Sequence, residues 1–210
     1  MNSVKIEKVV VGPLETNCLL LADATGRDAC IIDPGDEPDS IIASIDADGF
    51  IPSFIIFTHA HYDHVCAVRE LKEKYHCRIV MHEQEAKTYE DTKRLCTARG
   101  YDAEDFPPPD ISVREDDLIR AGALCLRVMH TPGHTPGSIC LFGNGLLITG
   151  DTLFRGSAGR TDLPGGSMRD LRDSLKKLRG LPHATRVLCG HGEETTIAIE
   201  RETNPFMSFP

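Results

Sequence analysis

Positive charge is in short supply in this chain: 23 Lys and Arg stand against 32 Asp and Glu, for a net charge of -9 and a pI near 5.4. Such a field repels polyanions, so neither nucleic acid nor an anionic membrane surface is expected as a partner. Long apolar runs are missing as well. No stretch approaches the ~20 residues that a membrane-spanning helix needs, and Met1 to Glu7 lacks the apolar segment and cleavage site of an export leader. A soluble cytoplasmic protein acting on a small-molecule substrate is the expectation; oligomeric state is not legible. No C-x-x-C pair occurs. The eight cysteines stand singly, mostly inside apolar segments, as reduced core residues do. What remains is a 210-residue chain, expected to form one domain over 1–210 from two αβ halves joined near 101–120.

Against those absences stands one crowded stretch, Thr58-His59-Ala60-His61-Tyr62-Asp63-His64, with three imidazoles and a carboxylate in six consecutive positions. It follows the apolar run Phe54 to Phe57, which reads as a buried strand in 54–58, and precedes Val65, Val68 and Leu71, spaced for one face of a helix. A strand-to-helix turn is therefore predicted, and such turns are where open α/β sheets keep their sites. Clustered imidazoles have little structural use, whereas a neutral imidazole or a carboxylate lends a lone pair to a metal ion. The pattern H-x-H-x-D-H points to metal.

Upstream, Val4 to Val11, Asn17 to Ala22 and Ala29 to Asp33 read as strands about turns at Gly12-Pro13 and Asp23 to Gly26. Asp33-Pro34-Gly35-Asp36 then breaks the sheet, and Asp39 or Ser40 can cap a short helix with Ile41, Ile42 and Ile45 inward, stopped by Gly49. Past the cluster, Arg78 to Met81 reads as a strand and Glu83 to Arg99 as a charged helix with a mostly solvated face. Tyr101 to Asp110, with Pro107, Pro108 and Pro109, reads as a stiff extended linker between the halves, though it could border the site.

Further on, Leu124 to Met129 is a predicted strand ending in His130-Thr131-Pro132-Gly133-His134-Thr135-Pro136-Gly137-Ser138. Ile139 to Phe142 and Leu146 to Thr149 flank a Gly143-Asn144-Gly145 turn, and the second of them runs into Gly150-Asp151. Ser167 with Asp170 resembles a capping box opening a helix that puts Met168, Leu171, Leu175 and Leu178 on one face. Arg186 to Cys189 runs into Gly190-His191. Candidate ligands thus lie just past four predicted strands: the cluster, His134, Asp151 and His191. If those strands shared one sheet with their carboxyl ends on one edge, five His and two Asp would converge, enough for two ions sharing a carboxylate. His76, His82, His130 and His183 read as ordinary surface or partly buried imidazoles.

The order T-H-x-H-x-D-H, H-T-P-G-H-T-P-G-S, T-G-D, G-H resembles the metallo-β-lactamase superfamily over nearly the whole chain. Ile32-Asp33-Pro34-Gly35, Gly150-Asp151-Thr152-Leu153-Phe154 and Gly159-Arg160-Thr161-Asp162 narrow the likeness to its short glyoxalase II-like (hydroxyacylglutathione hydrolase-like) branch. The resemblance implies an α/β fold, an αβ/βα sandwich of two mixed β-sheets flanked by helices. It implies one ion on His59, His61 and His134 and another on Asp63, His64 and His191, with Asp151 bridging. Asp33 would orient a ligand His from behind; from the residues alone it is equally a turn acid ahead of Pro34. Two zinc ions are the expected cofactors, with iron or manganese as alternatives that suit the same donors.

The implied reaction is hydrolysis of an acyl thioester such as S-lactoylglutathione, or of a similar small acyl compound, with Asp63 and Asp151 as catalytic carboxylates that hold or relay the proton of the attacking water. Persulfide dioxygenase chemistry on one iron is the alternative, and lactone or other ester cleavage a further one. Persulfide dioxygenases carry a P-A-H-D-Y-like last motif where this chain has Cys189-Gly190-His191-Gly192. Glyoxalase II proper adds a helical extension with Lys and Arg for glutathione and a tyrosine soon after the last ligand His. Here Gly192-Glu193-Glu194 follows, and the tail resembles shorter bacterial relatives ending in E-R-x-x-N-P-F, as Glu200 to Phe206 does. Arg155 and Arg160 come after the bridging acid and can bind a substrate carboxylate, though for Arg160 a structural salt bridge, as with Asp162, is the favoured reading.

Overall fold

The computed structural model describes residues 4–23, 27–98 and 100–208. Positions 24–26 of the expected Asp23 to Gly26 turn, and Arg99 at the expected helix end, lie outside them. Thr16–Asp23 and Leu146–Gly150 are buried at every position, as strands covered on both faces are. Successive side chains then serve two different cores. Along β2 (Thr16–Asp23), Cys18, Leu20 and Ala22 face one core and Leu19 and Leu21 the other.

The first sheet has the order β1 (Val4–Val11), β2, β3 (Asp28–Ile32), β4 (Ile51–Ile56), β5 (Arg78–His82), β6 (Ile111–Val113). The second has the order β14 (Thr195–Thr196), β13 (Arg186–Cys189), β10 (Leu146–Gly150), β9 (Ile139–Gly143), β8 (Leu124–His130), β7 (Leu118–Ala121). Both sheets are mixed. Ile56, Val80, Val128, Leu141 and Ile148 fill the layer between them. On the outer face of the first sheet pack α1 (Pro38–Asp48), α2 (Val68–Tyr75) and α3 (Ala86–Thr97). On that of the second pack α4 (Met168–Arg179) and α5 (Ile197–Thr203). The result is the expected αβ/βα sandwich. All eight cysteines are free and none is exposed. Among the described residues no helix is long and apolar enough to cross a membrane.

Four local expectations need correction. Helix α1 starts at Pro38 after Glu37 in a left-handed conformation, without a side-chain cap from Asp39 or Ser40; a proline at the first position has no N–H to satisfy and a φ already suited to the helix. The helix after the His cluster starts at Val68, because Tyr62–His64 makes a 3-10 turn first. Segment 83–98 opens with a 3-10 turn at Glu83–Glu85 before α3, whose outer face is mostly exposed as expected, while Glu85, Tyr89, Thr92 and Cys96 are buried. The Pro-rich stretch 101–110 contains a 3-10 turn at Ala103–Asp105 and leads into β6, still in the first sheet. Asp110 fixes that connection by accepting from Ile79 N at 2.7 Å and pairing with Lys72. The chain therefore changes sheets between β6 and β7, at 114–117.

Candidate metal centre

The four strands that carry the ligand types do not share one sheet. Strand β4 belongs to the first, while β8, β10 and β13 belong to the second, where all three run in one direction. Their carboxyl ends meet because the sheets are joined at this edge. Ile139 N donates to Thr58 O at 2.8 Å, and Asn17 N to Gly190 O at 2.7 Å. Two glycines permit the approach. A Cβ on Gly150, whose φ is +46°, would lie 2.1 Å from Thr58 Oγ1, and one on Gly190 would lie 2.4 Å from Asp151 Oδ1.

All seven expected ligand residues come together. They form three overlapping groups, His59 with His61 and His134, His59 with His64 and Asp151, and Asp63 with His64 and His191, whose donor atoms lie within 4.8 Å of one another. Two ligands of a tetrahedral ion with bonds near 2.0 to 2.1 Å stand about 3.3 Å apart. The Asp63 Oδ2, His64 Nε2 and His191 Nε2 atoms are 3.3 to 3.4 Å from each other. Asp151 Oδ1 is 3.5 and 3.6 Å from the same two imidazoles. On the other side His61 Nδ1 and His134 Nε2 are 2.9 Å apart, and Asp151 Oδ2 is 3.6 Å from His134 Nε2. Asp151 thus turns one oxygen to each group.

The surroundings present lone pairs inward. His134 donates from Nδ1 to Arg160 O at 2.8 Å, and His191 from Nδ1 to Leu14 O at 2.9 Å, which leaves both Nε2 atoms as acceptors. Thr58 Oγ1 donates to Asp33 Oδ2 at 2.6 Å and lies 3.2 Å from His59 Nδ1. His59 Nε2 and Asp151 Oδ1 are buried without a hydrogen-bond partner. Buried polar atoms are ordinarily paired, so the orphaned nitrogen and oxygen, with the spacings above, fit cations between them. Asp33 accepts from Thr58 N at 2.7 Å, and its Oδ2 sits 3.1 Å from His64 Nδ1, within ion-pair reach though off hydrogen-bond geometry.

Charge divides the imidazoles. Burial, followed by repulsion from neighbouring imidazoles, pushes His59 well below its ordinary range and brings His61 down to about 3. Burial likewise lowers His134. For His64 burial acts in the same direction, but the carboxylates of Asp151 and Asp33 carry it well above; His191 rises through Asp63 and Asp151 against its burial. Burial would raise the Asp63 carboxyl, yet bonds from His191 and His64 hold it well below the usual range.

A family model described as the metallo-beta-lactamase superfamily matches residues 11–191. The chain belongs to this superfamily. An uncharacterized protein of Aquifex aeolicus is 42% identical over 96% of each chain. The hydroxyacylglutathione hydrolase GloC of Haemophilus influenzae is 32% identical over 97% of this chain and 98% of its own. Among solved structures, the B3 metallo-beta-lactamase BLEG-1 gives a TM-score of 0.88 at 32% identity, covering 98% of this chain and 100% of that one. The di-iron-bound form of TTHA1623 gives 0.84 at 39% identity, covering 95% and 99%. Superfamily members bind metal ions, and the His and Asp groups here are placed to do so.

The two arginines lie differently from the ligands. Arg160 pairs with Asp162 through two bonds of 2.7 Å, and Arg155 pairs with Glu193. Both line openings beside Asp151 and His191. Sequence reasoning missed Glu85. Its carboxylate, fully buried, accepts from Ala60 N at 3.0 Å with one oxygen, and from Gly137 N at 2.8 Å and Thr135 Oγ1 at 2.9 Å with the other. It thereby ties the loop of His59 and His61 to the loop of His134. Asn17, also missed, holds the His191 loop by donating from Nδ2 to Cys189 O at 2.9 Å and Gly192 O at 3.0 Å. Glu200 and Asn204, inside the E-R-x-x-N-P-F segment, anchor the loop after Asp151: Glu200 accepts from Gly156 N, and Asn204 donates to Phe154 O and Ser157 O.

Proposed function

We propose that this chain is a dinuclear metal-dependent hydrolase of acyl thioesters, S-lactoylglutathione among them, with His59, His61 and His134 holding one ion, Asp63, His64 and His191 the other, and Asp151 between the two. The observation that carries the reading is the set of donor separations, 2.9 to 3.6 Å, around a carboxylate that faces both groups. GloC of Haemophilus influenzae, a hydroxyacylglutathione hydrolase similar along nearly its whole length, supports the substrate class. Two divalent cations held here, zinc first with iron or manganese as alternatives, would supply hydroxide near neutral pH and polarise the thioester carbonyl.

The chain's own groups do the remaining work. Asp63 lies at the cleft surface with Thr16 Oγ1 3.3 Å from its Oδ2, and takes the proton given up as water adds to the carbonyl carbon. The C–O bond forms, the C–S bond breaks, and that proton ends on the departing thiolate. His134 and His191 stay oriented because backbone carbonyls accept from their outer nitrogens.

The test joins metal analysis of the purified protein to a panel of thioesters, lactones and glutathione persulfide. Two equivalents of metal with thioester turnover support the reading. Oxygen consumption on the persulfide with one equivalent of iron, and no thioester cleavage, would replace it with dioxygenase chemistry.

A further inference from the structure

A cleft of about 550 Å³ lies against His61, Asp63, Asp151 and His191. Its walls are unlike that polar floor, being formed largely by Leu14, Tyr62, Leu95, Pro136, Leu163 and Pro164. Leu14 and Leu95 are 49% and 44% exposed. Single surface leucines need no explanation, but two that line one cleft beside the ligand residues make an apolar patch of the kind that marks a binding site. The cations of this cleft, Lys87 and Arg160, are each paired with a neighbouring carboxylate, Asp91 and Asp162. A second opening of about 510 Å³ shares Asp151, Arg160 and His191, and adds Phe154, Arg155 and Glu193.

Resting on the thioesterase reading above, we propose that the first cleft takes an apolar acyl chain, so that thioesters of medium-chain carboxylic acids are better substrates than those of a short hydroxy acid such as lactate. Thiol carriers bear carboxylates or phosphates, which would shed hydration among these leucines and prolines without an unpaired cation to meet them. An alkyl chain loses nothing there and gains the burial of each methylene. The polar carrier is left to the second opening, which among the described residues has no leucine or proline in its lining and whose cations, Arg155 and Arg160, sit in solvent-exposed pairs with Glu193 and Asp162. The specificity follows from the walls and leaves the chemistry at the floor unchanged.

The experiment compares acetyl, butyryl and hexanoyl thioesters of one small neutral thiol, and the lactoyl thioester of the same thiol, on metal-loaded protein. Each added methylene should raise kcat/KM about fourfold, about 250-fold over the four methylenes from acetyl to hexanoyl. Leu95→Asp and, separately, Leu14→Asp should flatten that slope while circular dichroism and metal content stay as in the parent. Calorimetry with acetate and hexanoate reads the cleft without turnover. A flat rate series with equal carboxylate affinities, or lactoyl outrunning butyryl, overturns the inference and leaves the thioesterase reading standing. Tenfold tighter hexanoate binding without cleavage of any thioester keeps the apolar site and sinks the thioesterase.

Discussion

The two ligand groups of this site are built to different standards. His59, His61 and His134 sit largely inside the fold, with His59 and His134 buried, and the loops that carry them are lashed from behind by Glu85 and Thr58. Asp63 and His191 face the cleft on one side, the side chain of His191 being 25% exposed, while His64 between them is fully buried. The hold on His191 comes from a carbonyl in the β1–β2 turn and from Asn17. The inner imidazoles are pressed toward neutrality by burial, whereas His64 and His191 are pulled toward the charged form by carboxylates. The inner group is thus a preformed set of lone pairs. The outer imidazoles hold a proton more readily, so acid opposes cation binding more at that group.

Asp151 is where the two groups meet, so its removal is the harshest break of the comparison. Asp151→Ala should lower turnover by on the order of a thousandfold or more, with the fold retained in circular dichroism and metal content reduced at both groups. Full activity in this variant would sink the dinuclear reading. Glu85→Gln separates the groups. Both carboxylate oxygens accept hydrogen bonds, and an amide can accept at only one, so an N–H meets an N–H and the protein should lose about 2 kcal/mol. Metal affinity should fall 10- to 100-fold at the inner group, in the range for loss of an outer-shell partner, and hold at the outer. Metal titration that shows both groups weakened equally would mean that Glu85 supports the fold alone.

Acid should loosen the support of the inner group. His82, one step before the turn that carries Glu85, stacks on His130 at 4.0 Å between ring centroids, and His130 Nε2 donates to Pro136 O in the His134 loop. Burial, then the neighbouring His130, pushes His82 down to about 4. The unfolded chain takes up that proton near pH 6.5 and the folded one only near 4, so stability is complete above the first value and falls as pH drops toward the second. The loss should amount to on the order of 3 kcal/mol. Unfolding of the metal-free protein across that window should show a shallower slope for His82→Gln than for the parent; equal slopes would place the titration elsewhere.

The parts of this molecule that could be read from sequence are those whose chemistry is local. H-x-H-x-D-H states its ligands within six positions, and β2 to β5 announce themselves as apolar runs ended by turns. Even the Ser167 cap is visible, and its hydroxyl does accept from Asp170 N. Glu85 was hidden because it stands among Glu83, Gln84 and Lys87, where charge ordinarily means solvent, while its partners lie 25 to 52 residues away. The exact point of the change of sheet was hidden for a similar reason. Strands β6 and β7 are three and four residues long and exist through their partners β5 and β8, so no periodicity betrays them. The convergence of the ligands was expected on one sheet and occurs across two. The motif order carries the ligand list, but only tertiary packing decides which edges meet.

The smallest effect belongs to the outermost contact. Arg155 has a side chain 57% exposed and already paired with Glu193, itself 76% exposed. A substrate carboxylate that recruits it must therefore compete with a resident partner in high dielectric, where such pairs are worth about 0 to 1 kcal/mol. Arg155→Ala should accordingly cost the lactoyl thioester of glutathione no more than several-fold in kcat/KM, and should leave the lactoyl thioester of a small neutral thiol with a matched leaving-group pKa untouched. Arg155 lies in the second opening beside the outer group, so the variant also asks which side of the site carries the thiol. An equal loss on both thioesters would mean that Arg155 acts through the loop rather than on the carrier. A thousandfold preference for the glutathione thioester that survives Arg155→Ala would require a glutathione clamp on some other surface, since the ion-paired cations beside this cleft could not supply it.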